Sequence, residues 1–385
     1  MKVLKLNSIS PVADKEFPAN YEYGDAVEQP DGIMVRSAVM HDYPMGDNLL
    51  AIARAGAGVN NIPVDKCAEK GIVVFNTPGA NANAVKELVI CELFLGGRKI
   101  IDSIEWMKTL KDDPALSKTA EKGKSKFVGG EVLGKTLGVV GLGAIGAMVA
   151  NTALDLGMNV MGYDPFISIN AAWMLNNKVQ RVMDTDTIFK TADYITLHVP
   201  ATGDTKGMIN ADTLAKCKDG VVIINNARGE LVDSKAMIEA VRSGKVARYI
   251  TDFPTSDMLE EKNIICVPHL GASTPEAEDN CAVMAASELV DYLENGNIVH
   301  SVNFPDVSMP NTSAQRITVM HKNVKEVLSK ILAIVSGEGI NIAHMQDKSK
   351  GDYAYLMLDI DEVADEAVIE KIKAIEEVIK VRVIK

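Results

Sequence analysis

The sequence predicts an α/β chain built on parallel sheets and closed by a small α+β unit. Short β-branched or apolar runs alternate with helical periodicity from Lys2 to about residue 293. The runs after residue 135 are almost continuously hydrophobic, as strands covered on both faces must be. Residues 313–385 read strand, helix, strand, strand, helix, strand, the order of a ferredoxin-like unit.

Taken in order, Lys2–Asn7, Ile33–Arg36, Leu49–Arg54 and Ile72–Asn76 are the first strands. A helix begins near Asn83 and stops at Gly96-Gly97, because glycine tolerates the left-handed conformation that ends a helix. The lysine-rich, apolar-poor residues 108–130 predict an exposed connector beside a domain boundary. A second series of strands follows at Lys135–Gly141, Asn159–Asp164, Tyr194–Pro200, Val221–Asn226, Tyr249–Asp252 and Ile264–Pro268, with helices between. Residues 276–293 are a further helix, broken by Asn295-Gly296-Asn297, and Val302–Thr312 with its two prolines is a linker. In the tail, Gln315–Met320, Ile340–Met345, Tyr353–Asp361 and Val378–Ile384 are strands and Asn323–Ser336 and Asp365–Ile375 helices. Val324, Val327, Leu328, Ile331 and Val335 fall on one face of the first of these helices.

Composition narrows the function. With 40 Lys+Arg against 52 Asp+Glu the formal net charge is −12, which removes the broad positive field that nucleic acid or an anionic membrane surface needs. An anionic small ligand must therefore be held by a few local cations. The longest apolar stretch, Leu137–Ala150, is interrupted by glycines and shorter than the roughly 18 residues of a membrane span, and the first residues lack the pattern of a secretory signal. The five cysteines are far apart, odd in number and without CxxC spacing, which fits reduced thiols and neither a disulfide framework nor a metal site. A cytoplasmic protein is expected.

The motif that carries most information is KTLGVVGLGAIG, which places Gly141, Gly143 and Gly146 as GxGxxG after a strand and at a helix opening. Gly141 permits the tight turn, Gly143 lets a pyrophosphate approach backbone N–H groups, and Gly146 allows close helix–strand packing in a Rossmann-type unit. Asp164 ends the next strand, where a carboxylate accepts from the adenosine ribose and repels a 2′-phosphate, so NAD is expected over NADP. His269 and Arg228 each follow a strand of the same sheet, at the edge where ligands bind. A histidine there suits acid–base chemistry on a hydroxyl, and an arginine offers forked donors to a carboxylate. Asp252 ends a neighbouring strand, and Asp257, five residues on, is a candidate partner for the imidazole.

RAGAGVNNIPVD, NTPGANANAVKE, GLGAIG, GYDP, NNARGELVD, TDFPTSD and PHLGASTPEAEDN together resemble the D-isomer-specific 2-hydroxyacid dehydrogenases, over nearly the whole chain. The resemblance implies a flavodoxin-like substrate domain, residues 1–95 and 278–303, split by an inserted NAD-binding domain, residues 96–277, with the active site in the cleft. It implies Arg228 at the substrate carboxylate, His269 as acid/base, and Asp257 in the place of a relay that is usually Glu, with Glu260 or Glu261 as alternatives. The cofactor set becomes Gly141, Gly143, Ala144, Ile145 and Gly146 at the pyrophosphate, Asp164 at the ribose, His198, Val199 and Pro200 near the adenine side, and Asn226, Ala227, Asp252, Gly271 and Ala272 toward the nicotinamide. For the substrate it implies the loop with Ala57 and Gly58, and Arg36, Arg54 and Lys124 as phosphate candidates.

The tail, 313–385, resembles an ACT domain, with His321, Asn323 and Asn341 at positions that bind L-serine in regulated relatives. Lys325-Glu326 stands where that pattern has Pro-Gly, which leaves serine feedback, dimerisation and a purely structural role open. The activity implied is NAD-dependent oxidation of D-3-phosphoglycerate to 3-phosphohydroxypyruvate, the committing step of L-serine biosynthesis, by a homodimer or homotetramer. Glycerate or lactate as substrate, and a non-catalytic NAD-sensing protein, are the alternatives.

Overall fold

The computed structural model describes residues 1–311 and 313–384. Thr312 at the end of the predicted linker and Lys385 at the end of the tail lie outside the described residues. The chain divides into two compact units, Met1–Asn81 with Pro275–Lys385, and Ala82–Thr274.

The first unit opens with strands β1 (Lys2–Lys5), β2 (Glu22–Gly24), β3 (Gly32–Val35) and β4 (Ala51–Arg54), helix α1 (Val64–Glu69) and strand β5 (Val73–Phe75). They form a parallel five-stranded sheet ordered β2-β1-β3-β4-β5. The short strand β2 was not among those predicted, because Glu22-Tyr23-Gly24 has neither an apolar run nor an alternation.

The second unit starts with α2 (Ala82–Gly97), α3 (Ile100–Thr109) and α4 (Leu116–Gly123). The expected connector after residue 108 is thus largely helical, although it is solvent-facing. Val85, Val89 and Leu93 of α2 pack into the core beneath the second unit's sheet, which is why the division falls at Asn81 and not near residue 95. Next come β6 (Thr136–Val140), α5 (Ala144–Asp155), β7 (Asn159–Tyr163), α6 (Ile169–Met174), β8 (Gln180–Arg181), α7 (Thr185–Thr191), β9 (Tyr194–Leu197), α8 (Ala211–Lys216), β10 (Val221–Asn225), α9 (Ser234–Arg242), β11 (Val246–Thr251) and β12 (Ile264–Cys266). The sheet is seven-stranded, ordered β12-β11-β10-β9-β6-β7-β8, with every pairing parallel. The order reverses beside β6, so the carboxyl ends of β6 and β9 flank the crevice where a doubly wound sheet takes its ligand.

The chain re-enters the first unit in α10 (Pro275–Asn295), which ends at Gly296 in the left-handed region. The tail is β13 (Gln315–Lys322), α11 (Val327–Gly337), β14 (Ile342–Lys350), β15 (Tyr353–Ile360), α12 (Glu366–Lys373) and β16 (Val378–Ile384), an antiparallel sheet ordered β14-β15-β13-β16. One difference is local. The residue before α11, Glu326, sits at φ 73°, so the helix starts at Val327, and Val324 lies outside it, exposed, while Val327, Ile331 and Val335 are buried.

The tail is fastened to α10 by buried polar chemistry. Arg316 and Asp359, both fully buried, pair through Nε–Oδ1 at 2.6 Å and Nη2–Oδ2 at 2.8 Å, and the guanidinium also donates to the carbonyls of Asn295, Met309 and Pro310. Arg382 donates to the carbonyls of Tyr292 and Leu293 at the end of α10, where helix carbonyls lack internal donors.

Candidate dinucleotide and hydroxy-acid site

The glycine loop follows β6 directly. Gly141 has φ 93°, and a Cβ there would stand 2.4 Å from the His198 carbonyl oxygen. A Cβ on Gly146 would meet the Gly141 oxygen at 1.9 Å, so glycine alone lets α5 close onto the strand. Gly143, which precedes α5, has nothing within 4 Å of such a Cβ. That open approach to the helix N-terminus, ahead of Ala144 and Ile145, is the cradle a pyrophosphate requires. Asp164 is oriented by two backbone donors at 2.8 Å, Leu142 N–H to Oδ2 and Phe166 N–H to Oδ1. Each oxygen keeps a lone pair for a ribose hydroxyl. His198 sits beside Gly141, with Nε2 2.9 Å from Thr196 Oγ1, and burial pushes its imidazole down to about 4, so it is neutral at pH 7. Val199 packs against Gly141 and Pro200 is exposed. The residues present therefore fit NAD: a tight glycine turn, a helix N-terminus and a ribose carboxylate without a paired cation for a 2′-phosphate.

At the ends of β10 and β11 the structure gathers Asn226, Ala227, Arg228, Asp252, His269 and Gly271. Arg228 is exposed, and its Nη1 donates to the Ala227 carbonyl at 2.6 Å. Its turn is built by Asn225, fully buried, whose side chain accepts from Ala227 N–H at 3.2 Å and donates to the Arg228 carbonyl at 2.9 Å. Thr251 Oγ1 closes the arrangement by donating to Asn225 O at 2.9 Å. His269 lies at φ 47°, its N–H donates to Asp252 O at 3.1 Å, and its ring packs on Phe253 at 4.8 Å between centroids. Asp252 is 2% exposed. Burial raises its carboxyl, while the Gly271 N–H and the charges of His269 and Arg228 act in the opposite direction. Ala272 packs partly buried against the core under the sheet.

The expected relay is not assembled. Among the described residues no hydrogen bond joins His269 to Asp257, which is exposed in a short 3-10 turn, Ser256–Glu260, and whose carboxylate accepts from Ser256 Oγ at 3.4 Å. The aspartate is one methylene shorter than the usual glutamate. Of the alternatives, Glu260 is exposed and Glu261 pairs with Arg242.

In the first unit, Arg54 runs under the loop Ala55–Gly58, donating from Nε to Arg36 O at 3.1 Å. Gly56, at φ 149°, leaves the room that a Cβ would take from the Arg54 guanidinium. Asn76 Nδ2 holds the Ala57 carbonyl at 2.6 Å, and among the described residues no internal backbone acceptor takes the N–H groups of Ala57 and Gly58. Arg36 is half-exposed and ion-paired with Glu278, and Lys124 is exposed and paired with Glu121. Arg36 and Lys124, two of the three phosphate candidates, thus already carry a carboxylate partner.

The three regulatory candidates are not brought together in one copy of the chain. Lys322 and Lys350 both pair with Tyr353, whereas Gln315 and Ile342 both pair with Ile360. Asn323, after β13, and Asn341, before β14, therefore stand at opposite ends of the sheet, about 25 Å apart at the rise of a β-strand. His321 is buried, with Nδ1 2.8 Å from Lys322 O and Nε2 3.4 Å from Asp347 Oδ1; burial lowers its pKa, but these two partners outweigh it and the net shift is upward. Asn323 donates to Gly351 O and Asn341 to Asp361.

Asn225 and Thr251 open the motifs NNARGELVD and TDFPTSD but were not singled out within them, and Glu92 belongs to no motif that the sequence announces. The signal for Glu92 was its spacing: it falls in the apolar register Val85, Val89, Leu93 of α2 and is 1% exposed.

Comparisons with known proteins point to the same fold and the same cofactor. The family described as D-isomer specific 2-hydroxyacid dehydrogenase, NAD binding domain, matches residues 98–271. D-3-phosphoglycerate dehydrogenase of Escherichia coli (strain K12) is 34% identical over 356 residues, 88% of this chain and 82% of that protein. The protein of the same name from Archaeoglobus fulgidus is 36% identical over 294 residues, 73% of this chain, and the match spans about half, 53%, of that longer relative. Among solved structures, the NAD+-bound 3-phosphoglycerate dehydrogenase of Entamoeba histolytica superposes with a TM-score of 0.60 at 29% identity, covering 79% of this chain and 98% of that one. Among the described residues no helix is long and apolar enough to cross a membrane.

Proposed function

The chain belongs to the family of D-isomer-specific 2-hydroxyacid dehydrogenases, and from that premise we propose that it oxidises D-3-phosphoglycerate at C2 to 3-phosphohydroxypyruvate with NAD, as a cytoplasmic homodimer or homotetramer. The observation that carries the reading is the placement of Arg228, just past the end of β10, and of His269, whose N–H donates to Asp252 O at 3.1 Å, at the same carboxyl edge of the dinucleotide sheet. NAD, when bound by Gly141–Gly146 and Asp164, supplies a two-electron hydride acceptor. Arg228 binds the substrate carboxylate and polarises the C2 oxygen, since a guanidinium fork matches a carboxylate. His269 takes the C2 hydroxyl proton, and its ring is placed by Phe253 and by the backbone bond to Asp252. Asp257 supports His269 only after its turn moves toward the ring. Arg54, with Arg36 once Glu278 releases it, and the N–H groups of Ala57 and Gly58 are assigned to the substrate's anionic ends.

NADH formation from D-3-phosphoglycerate and from D-glycerate tests this. His269→Asn and Arg228→Ala are each expected to lower turnover by about 100-fold or more. Unchanged turnover in either variant refutes the roles, and equal kcat/KM for glycerate refutes phosphate recognition. L-serine added to the same assay tests the regulatory reading of the tail. Because Asn323 and Asn341 stand at opposite ends of one sheet, these residues serve as a single effector site only across two copies of the chain. Serine inhibition supports that reading and its absence leaves the tail structural.

A further inference from the structure

The interior of the second unit holds one acidic side chain that the proposed chemistry does not use. Glu92 lies mid-helix in α2, 1% exposed, and its Oε2 accepts from Asn226 Nδ2 at 2.6 Å. Three buried oxygens at this spot have no partner: Glu92 Oε1, Asn226 Oδ1 and Asp252 Oδ1. A buried carboxylate with an idle oxygen beside an amide with an idle carbonyl is costly. One proton resolves both, because a protonated Oε1 becomes a donor and the Asn226 carbonyl oxygen an acceptor.

We propose that Glu92 is a positioning residue which, through the Asn226 carboxamide, fixes the turn that presents Arg228. Asn226 lies between Asn225, which holds Arg228 O and Ala227 N–H, and Ala227, whose carbonyl receives the Arg228 guanidinium. The turn is thereby pinned on two sides, from within by Asn225 and across the unit by Glu92. Burial, reinforced by the nearby Asp252 carboxylate and opposed by the Asn226 bond, pushes the Glu92 carboxyl up to about 8, so it is neutral at pH 7 and able to donate. Asp252 is the charged group acting on it, and Asp252 Oδ2 in turn accepts from Gly271 N–H at 3.3 Å. Ionisation of Glu92 would place two carboxylates side by side in the core and loosen Asn226. The site is thus competent only while Glu92 keeps its proton.

The inference rests on the proposed role of Arg228 for its effect on turnover, so the test includes a measurement that needs no substrate. Amide hydrogen exchange of the full-length chain with NADH is followed over Asn225–Gly229 in the wild type, Glu92→Gln and Glu92→Leu. Glu92→Leu is expected to speed exchange there by about tenfold or more, and Glu92→Gln, which keeps shape and neutrality, to leave it within about threefold. In kcat/KM against pH, the wild type is expected to lose activity above about pH 8, and Glu92→Gln to lose that alkaline limb. Unchanged exchange in Glu92→Leu overturns the proposal. So does an alkaline limb that survives in Glu92→Gln, since a merely structural residue would leave the pH profile where it was. If no variant oxidises phosphoglycerate, the substrate assignment falls and the exchange result alone decides whether Glu92 holds the turn.

Discussion

The glycine loop lends itself to a paired perturbation, because its second and third glycines face different surroundings. A methyl on Gly146 would stand 1.9 Å from the Gly141 carbonyl oxygen and 3.0 Å from its carbon, both backbone atoms. Relief requires more than 1 Å of separation between α5 and β6, against the packing of Ala147, Val149 and Ala150. Overpacking of that kind costs about 2–3 kcal/mol. Gly143, by contrast, has an ordinary φ of −69° and open space around it, so alanine should fold with less than about 0.5 kcal/mol of change. Its methyl occupies the approach to the α5 N-terminus, and NADH affinity should fall by about tenfold or more, roughly 1.4 kcal/mol. Urea unfolding and NADH fluorescence titration separate the two effects. Gly143→Ala is expected to keep the stability and lose the cofactor, and Gly146→Ala to lose both. A Gly143→Ala protein that binds NADH like its parent, or a Gly146→Ala protein as stable as its parent, refutes the assignment of the loop.

Glu326 precedes α11 at φ 73°, a conformation that costs a side chain about 1 kcal/mol and glycine almost nothing. Glu326→Gly should therefore raise the stability of the chain by up to about that amount, and a fall in urea midpoint would show that the side chain contributes something else. Arg316→Met removes the partner of a fully buried Asp359 and should destabilise by about 3–5 kcal/mol. Adding Asp359→Leu should recover most of the loss, and failure to recover would mean that the carbonyls of Asn295, Met309 and Pro310 are the larger part of the network. Glu92 also makes stability depend on pH. The folded chain keeps a proton up to about pH 8 that the unfolded chain releases near 4.5, so this contribution to stability falls as pH rises between those values and is flat above them. The upper bound is on the order of 5 kcal/mol. Glu92→Gln should flatten that part of the profile in thermal melts, while Glu288, raised in the same direction by burial, contributes equally to both proteins.

Periodicity and local chemistry were enough for the strands of both parallel sheets other than β2 and β8, to within about three residues, and for the order of the tail, because each of those strands carries its own apolar signature. The positions of the glycine motif, Asp164, Arg228 and His269 just past strand ends were legible for a related reason, since the apolar run of each strand marks where it stops. Sequence alone could not say who meets whom. Glu92 and Asn226 are 134 positions apart and Arg36 and Glu278 are 242 apart, so the buried acid–amide pair and the ion pair on a phosphate candidate arise only when α2 and α10 settle against their sheets. The same settling assigned α2 to the second unit, through Val85, Val89 and Leu93. Strand register sent Asn323 and Asn341 to opposite ends of the tail sheet, although the resemblance to an ACT domain grouped them as effector-binding positions. Asp257 stands five residues past Asp252, as the motif required, yet no hydrogen bond joins its short side chain to the imidazole it was expected to support.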